Sequence, residues 1–239
     1  MTARRRLLSY CGAAAVSEPH YQLVLPLPLD DQYRLDNFIA VEDSRRAALA
    51  ALNHREPVVL LVAAPQSGLS HLLQAVAAGS GCIYLPLAEL ASYSPAAVLD
   101  GLEQQSTILL DDIDAVWQQP AWAEALFSLY NRCRDSGVGW VAASHTALGE
   151  QSPPLADLRS RLGSGLLFHW PAYSDDQLAE LLTQRAARRG LTLSGELTRY
   201  LLSRLSRNPA ALVEALELLD HHALTTGRAL TIPLAKQTL

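Results

Sequence analysis

Two short stretches of the sequence contain residues whose types and spacing suit phosphate chemistry. The first, residues 63–70, reads A-A-P-Q-S-G-L-S and follows an apolar run. It has the outline of a phosphate-binding loop, G-x-x-x-x-G-K-[ST], and it keeps Gly68 and Ser70 of that pattern. Ala63 replaces the first glycine, and Leu69 replaces the lysine. Because a leucine offers no charge to a phosphate, this loop lacks its most important cation.

The second stretch, residues 106–117, reads S-T-I-L-L-D-D-I-D-A-V-W and is an apolar strand that ends in Asp111 and Asp112. In nucleoside triphosphatases the first carboxylate at such a strand end holds Mg²⁺ through water, and the second acidic residue helps to position the attacking water. Strands often end in aspartate at a turn, so the pair alone is weak evidence. Its place about 40 residues after the loop, with one strand between, favours descent from P-loop nucleotide-binding proteins.

The chain that must position these residues alternates between short apolar runs and helical patterns. Strands are predicted at 58–63, 82–86, 107–111, 138–143 and 166–170. Helices are predicted around them at 43–53, 70–79, 95–103, 120–135 and 155–162. The apolar runs are continuous, as in strands whose two faces are both covered. The pattern therefore predicts an α/β fold with a parallel five-stranded sheet wrapped by helices.

After residue 171 the pattern becomes entirely helical. Ser174 and Gln177 form a capping-box pattern, and the helix that they open ends at Gly190. Further helices are predicted at 195–206, from 208–209 onward, and at 232–238. The sequence thus predicts a small all-helical domain behind the α/β domain.

Composition and charge narrow the classes of protein. The chain has 239 residues, of which 49% are hydrophobic and 18% charged, as in a folded protein with a substantial core. Its formal net charge of −5 gives no general support for a nucleic-acid binder. The three cysteines are far apart, which fits a reducing compartment and excludes a cysteine-ligated metal site. No apolar run approaches the length of a membrane span.

Further motifs occur in a fixed order along the chain. They are Q-L-V-L-P-L-P-L at 22–29, L-D-N-F-I at 35–39, I-L-L-D-D-I-D at 108–114, L-F-S-L-Y-N-R-C-R-D-S-G at 126–137, D-L-R-S-R-L at 157–162 and L-T-I-P-L-A-K at 230–236. With the degenerate loop, this series resembles the AAA+ core of the bacterial replication initiator DnaA, and more closely that of its truncated relatives of the Hda type. The resemblance covers residues 20–239. It implies an unstructured extension at 1–20, a clamp-binding peptide at 21–29, an AAA+ base domain with a degenerate P-loop at 30–171 and a helical lid domain at 172–239.

The resemblance implies that one segment docks on the β sliding clamp of DNA polymerase III. The residues concerned are Gln22, Leu23, Leu25, Pro26 and Leu27. A glutamine, leucines at alternate positions and a proline make an extended segment whose apolar side chains can enter a hydrophobic groove. The proline lowers the entropic cost of ordering the segment. Without the resemblance, an edge strand that packs on its own domain explains the same residues.

The resemblance also implies an arginine that acts on a neighbouring subunit. Arg161 aligns with the arginine finger of the family, the cation that reaches across an interface to a neighbour's γ-phosphate. A guanidinium suits this role because it is always charged and presents a planar fork of donors. Arg159, two residues away, can assist it. Without the resemblance, both residues are ordinary arginines on a helix surface.

In the implied nucleotide pocket, the charged residues of the family pattern are missing from their expected positions. Besides Leu69, the sequence has Ser144 and His145 where an acidic sensor residue is common. Ala210 stands where the lid's sensor arginine is expected, and Arg207 lies three residues earlier. Each lost cation removes charge-assisted hydrogen bonds worth about 1.5–3 kcal/mol.

The loss of these cations determines which cofactor we expect. The resemblance implies ADP, and backbone amides near Gly68 and the helix start at Ser70 could hold its diphosphate. Leu69 argues against even this nucleotide. With Asp111 and Asp112 as the other residues of a degenerate pocket, we expect no bound metal and no efficient hydrolysis.

These implications favour a regulatory function over an enzymatic one. The expected protein is a cytoplasmic inhibitor of replication initiation, which binds the clamp and stimulates ATP hydrolysis by DnaA. Two alternatives stay open: an active AAA+ ATPase that loads or remodels replication proteins, and an adaptor that recruits a protein to the clamp without a catalytic arginine. Because the sequence ends at Leu239, just after the lid, we expect no helix-turn-helix domain for DNA. Self-association stays open, and no membrane partner is expected.

Overall fold

A computed structural model describes residues 33–35, 38, 40, 43–53, 56–78, 81–170 and 172–239. The predicted extension at 1–20 and the predicted clamp-binding peptide at 21–29 lie outside these residues. None of the described helices is long and apolar enough to cross a membrane.

Five strands form one sheet in the described chain. They are β1 (Val58–Ala63), β2 (Cys82–Pro86), β3 (Thr107–Asp111), β4 (Gly139–Ser144) and β5 (Leu166–Trp170). All neighbouring strands are parallel, in the order β2-β3-β4-β1-β5. The predicted α/β fold with a parallel five-stranded sheet is therefore confirmed.

Ten α-helices surround or follow this sheet in the described residues. The first six are α1 (Asp43–Asn53), α2 (Leu69–Ala77), α3 (Leu87–Leu90), α4 (Pro95–Leu99), α5 (Pro120–Ser136) and α6 (Ala156–Leu162). The last four are α7 (Asp175–Arg188), α8 (Gly195–Arg204), α9 (Pro209–Thr226) and α10 (Ile232–Thr238). The helical C-terminal region agrees with the predicted lid.

The sheet has an apolar core on each face. Successive side chains of a strand point to opposite faces. In β1, Leu60 and Val62 belong to one core, which includes residues of α3, α4, α5 and α6. Val59 and Leu61 belong to the other core, which includes residues of α1 and α2. Both faces of β1 are covered, which explains why this strand is apolar at every position.

The four C-terminal helices share a third core. Its buried residues, from Leu178 of α7 to Ala235 of α10, come entirely from this part of the chain. The capping box predicted for Ser174 and Gln177 forms, with both reciprocal hydrogen bonds present. The division at 171/172 itself stays a prediction.

Several predicted boundaries differ from the structure by one or two residues, one helix differs by more, and one short helix was not predicted. The helix expected at 95–103 ends at Leu99, because Asp100 is extended and Gly101 has φ 77°, a left-handed conformation. A 3₁₀ turn, Leu102–Gln104, replaces its second half. Strand β4 lies one residue later than predicted, and α3 follows β2 directly.

Candidate functional site

The carboxyl ends of three adjacent strands bring the predicted pocket residues together. Val62 of β1 pairs with Ser144 of β4, and Leu110 of β3 pairs with Ala142, so β1, β4 and β3 end side by side. The loop-like stretch leaves this edge after β1. In open α/β sheets, ligands bind in the crevice at this edge.

The loop keeps the turn that starts α2 but not the lysine. Gly68 is the N-cap of α2 with φ 90°, a conformation that other residues adopt only with strain. Leu69 follows it and is 2% exposed, inside the core that it shares with Phe38 and Leu72. Leu69 is therefore a packing residue, and it offers no polar group to a phosphate.

Asp111 is buried and already bonded to protein donors. The Tyr84 hydroxyl donates to its Oδ2 at 2.7 Å, and the Asp112 backbone N–H donates to its Oδ1 at 3.2 Å. The Ser70 hydroxyl also hydrogen bonds to this carboxylate. Burial raises the pKa of Asp111, and the bonds from Ser70 and Tyr84 oppose that shift. Burial and the nearby carboxylate raise the pKa of Tyr84, so its hydroxyl stays protonated and keeps donating.

His145, directly after β4, bonds to the ends of two other strands. Its Nδ1 lies 2.9 Å from the Ala63 carbonyl oxygen, and its Nε2 lies 3.3 Å from Oδ1 of Asp112. Its backbone N–H donates to Oδ2 of Asp114 at 3.1 Å. The hydrogen bond to Asp112 raises the pKa of His145 to about 9, against the opposing effect of burial. The imidazole is therefore charged at neutral pH, and it forms an ion pair with Asp112.

The residues at the two predicted sensor positions, Ser144 and Ala210, supply no charged side chain to this edge of the sheet. The Ser144 hydroxyl donates to the Thr146 carbonyl oxygen at 2.7 Å, so it is used within its own turn. Ala210 lies in the first turn of α9, where its backbone N–H is capped by Asn208. Arg207 forms an ion pair with Asp175 at 3.0 Å, at the start of α7.

These contacts decide how well a Mg²⁺–nucleotide complex fits the site. Such a complex needs carboxylate oxygens for the metal or its waters and a cation for the phosphates. Here Asp111 and Asp112 are bonded to Tyr84, Ser70 and His145, and the lysine position is apolar. The residues present therefore fit this group poorly, because the metal would compete with these bonds and residue 69 offers no cation to the phosphates.

Arg159 and Arg161 lie in the last turn of α6, which Leu158 and Leu162 anchor in the core below. Arg159 is exposed, whereas Arg161 is half-buried, with its Cζ 5.8 Å from the Tyr130 ring centroid. Within the described part of the chain, neither guanidinium has a hydrogen-bond or ion-pair partner. Both can therefore reach a group on another molecule.

Two features near these sites were not predicted from the sequence. Tyr84 lies in the apolar strand β2. The hydroxyl group of this residue could have indicated a polar partner on the neighbouring strand β3. On the edge strand β5, Leu166 and Leu167 are 44% and 57% exposed. The predicted clamp-binding residues Gln22 to Leu27 lie outside the described residues, so their placement stays a prediction.

A buried cation of α1 contacts the segment just before α7. The Arg45 guanidinium of α1 lies 3.8 Å from the centroid of the Tyr173 ring, just before α7, and the side chain is fully buried.

Near the start of α2, the His71 ring lies 5.0 Å from the Tyr33 ring and 5.5 Å from the Phe38 ring. Burial lowers the pKa of His71, so this cluster favours the neutral imidazole.

Comparison with known proteins agrees with this architecture. The family model for the lid domain of Hda matches residues 175–239. An uncharacterised protein of Haemophilus influenzae is 35% identical over 233 residues, which cover 91% of this chain and 98% of that protein. Domain III of the Thermotoga maritima replication initiation protein DnaA has a TM-score of 0.68 at 20% identity, over 89% of this chain and 97% of that one.

Two further solved structures share the fold. AMPPCP-bound DnaA of Aquifex aeolicus has a TM-score of 0.66 at 20% identity, over 83% of this chain and 69% of that one. The Holliday junction branch migration motor RuvB of T. maritima has a TM-score of 0.64 at 20% identity, over 86% of this chain and 70% of that one. Together with the Hda lid, these similarities confirm the resemblance read from the motifs. The chain belongs to the DnaA-like AAA+ proteins and, among them, lies close to Hda.

Proposed function

We propose that this protein is a DnaA-related regulator of replication that stimulates ATP hydrolysis by DnaA in trans through Arg161. The observation that carries this proposal is the contrast between its two candidate sites. The chain's own pocket has its carboxylates bonded internally, whereas Arg161 has no polar partner among the described residues. The side chain best suited to act on a phosphate is thus not engaged by an acceptor within the described residues.

The surroundings of Arg161 support a role at an interface. Leu158 and Leu162 fix the helix, and the Ser164 hydroxyl donates to the Arg161 carbonyl oxygen at 2.7 Å, which holds the end of α6. The Tyr130 ring borders the guanidinium at 5.8 Å. A side chain held in this way loses less freedom when it binds a phosphate than a fully exposed arginine does. Arginines supplied in trans raise hydrolysis rates by about 10³–10⁵-fold in GTPase systems.

Clamp docking through residues 21–29 is the second part of the proposal. It rests on the sequence of that segment and on the family, since these residues lie outside the described structure. The clamp would bring the regulator to DNA that has already been replicated. Deletion of 21–29 is expected to abolish binding to the clamp and to leave Arg161 intact.

The test is ATP hydrolysis by purified DnaA in the presence of clamp-loaded DNA and the regulator. Arg161→Ala is expected to lose at least about tenfold of the stimulation while clamp binding is unchanged. Arg161→Lys, which keeps the charge but loses the planar fork, should recover little of it. Arg134→Ala is the matched control, because Arg134 is an exposed arginine that pairs with its neighbour Asp135.

Four outcomes separate the proposal from its rivals. Full stimulation of DnaA by the Arg161→Ala protein contradicts the mechanism. If that variant stimulates fully and the Arg159→Ala protein does not stimulate, the acting arginine is Arg159. Loss of function on deletion of 21–29, with every arginine variant silent, identifies an adaptor. Micromolar ATP binding, with turnover abolished by Asp112→Asn, identifies an active ATPase.

A further inference from the structure

We propose that His145 takes over the structural role of a bound nucleotide in this protein, so that the chain reaches its working structure with no nucleotide and gains no stability from one. This inference concerns the isolated chain. It therefore stands or falls separately from the proposed action on DnaA.

The bonding of the imidazole ring is the first argument. Both ring nitrogens face oxygen acceptors: Nδ1 faces the Ala63 carbonyl at 2.9 Å, and Nε2 faces the Asp112 carboxylate at 3.3 Å. A neutral imidazole has one N–H and can satisfy only one of them, whereas an imidazolium donates to both. The geometry itself therefore selects the charged ring, independently of any titration.

The position of His145 in the sheet is the second argument. The residue follows β4, its ring reaches the last residue of β1, and it pairs with Asp112 just after β3. Its backbone N–H bonds to Asp114, whose carboxylate also accepts from the Thr146 hydroxyl at 2.9 Å. One residue thus cross-links the three strand ends that line the crevice. In a nucleotide-bound relative, a loop cation, a metal ion and phosphates would connect the same ends.

The state of the carboxylates is the third argument. A magnesium ion with a diphosphate would need oxygens of Asp111 or Asp112, directly or through water. Asp111 accepts from Tyr84, from Ser70 and from a backbone N–H, and Asp112 pairs with His145. A metal ion or its waters would have to compete with these bonds, and Leu69 supplies no cation in return. Asp111 and Asp112 are therefore already engaged by groups of the protein itself.

The test measures thermal unfolding of the full chain alone, with MgCl₂, with ADP and MgCl₂, and with ATP and MgCl₂. A ligand at a hundredfold excess over its Kd would raise the Tm by roughly 5–10 °C in a protein of this size. We expect a change below about 1 °C in all three conditions. A rise of several degrees with either nucleotide overturns the inference, and this arm needs no variant.

A double-mutant cycle tests the cross-link itself. His145→Gln and Asp112→Asn should each lower the Tm by several degrees, and the double variant should lose clearly less than the sum, because both remove the same bond. Arg134→Gln, which removes an exposed pair with Asp135, is the control and should change little. Strict additivity of the two pocket variants, or a His145→Gln protein as stable as wild type, refutes the role of His145. If one variant fails to fold, the other single variant compared with the control still decides.

Discussion

Leu69→Ala tests whether the residue at the lysine position has become part of the core. Leu69 is 2% exposed and packs with residues of α1 and α2. The substitution removes three buried carbons, worth about 0.8 kcal/mol each in transfer free energy, and leaves a cavity that the neighbours fill only in part. We expect the free energy of unfolding to fall by about 3–4 kcal/mol, and the Tm by roughly 6–16 °C.

The measurement is chemical denaturation followed by tryptophan fluorescence. Trp117, Trp122 and Trp140 are all buried in the sheet domain, so the signal reports the part of the chain that contains Leu69. An unchanged m-value ensures that the shift in midpoint reflects stability. Leu167→Ala is the matched control, because Leu167 lies in the same domain, on β5, and is 57% exposed, so it should contribute less than about 1 kcal/mol.

The interpretation is wrong if Leu69→Ala changes the free energy of unfolding by no more than the control does. Such a result would mean that the side chain borders an open phosphate site and has no packing role. Leu69→Lys gives the complementary result. Its ammonium must be buried or must displace the packing around it, so we expect a similar loss of stability. We also expect no gain of ATP binding, because Ala210 and the internally bonded carboxylates remain.

Three further predictions concern single residues. Gly165→Ala should cost more than about 2 kcal/mol, because a Cβ there would lie 2.5 Å from a Val58 methyl carbon, whereas Gly149→Ala, with open space around it, should be nearly neutral in the same denaturation assay. The stability difference between wild type and His145→Gln should be fully present below about pH 6.5 and be lost as the pH rises from there to about 9, because a raised histidine pKa stabilises the fold only while the ring is protonated. The Cys133 thiol, whose pKa burial raises to about 11, should react with a thiol reagent only after unfolding; rapid labelling of the native protein would contradict its burial.

The strands were predictable because each carries one uniform signal. A strand buried on both faces is apolar throughout, and β1 shows this over all six residues, Val58–Ala63. Four of the five strands have the predicted bounds, and β4 differs by one residue. The helix predicted at 95–103 failed for a local reason: the apolar pattern continues across Gly101, but the backbone there adopts φ 77°. A periodic pattern cannot reveal such a conformation, which depends on how the chain returns to the sheet.

The residues of the pocket were predictable, but their bonds were not. The motifs identified Ser70, Asp111 and Asp112, and the structure brings Ser70 and Asp111 into contact. The bond from Tyr84 depends on β2 lying next to β3, which pairs Tyr84 with Leu109. The ion pair between His145 and Asp112 depends on β4 lying next to β3. Strand order arises from the crossovers, and the sequence pattern of a single strand carries no information about its neighbour.

The two faces of the sheet explain how the proposed regulator could do without nucleotide chemistry of its own and still present an arginine. Leu69 and the rest of α2 pack on the face to which Val59 and Leu61 contribute. Leu158 and Leu162, which hold the helix of Arg161, pack on the opposite face with Leu60 and Val62. A substitution in the loop therefore changes the packing of a core that does not position α6. Residues with no shared contacts act almost independently on stability. The charge lost at residue 69 removes affinity from the pocket, whereas the geometry of Arg161 depends on packing that this change does not reach.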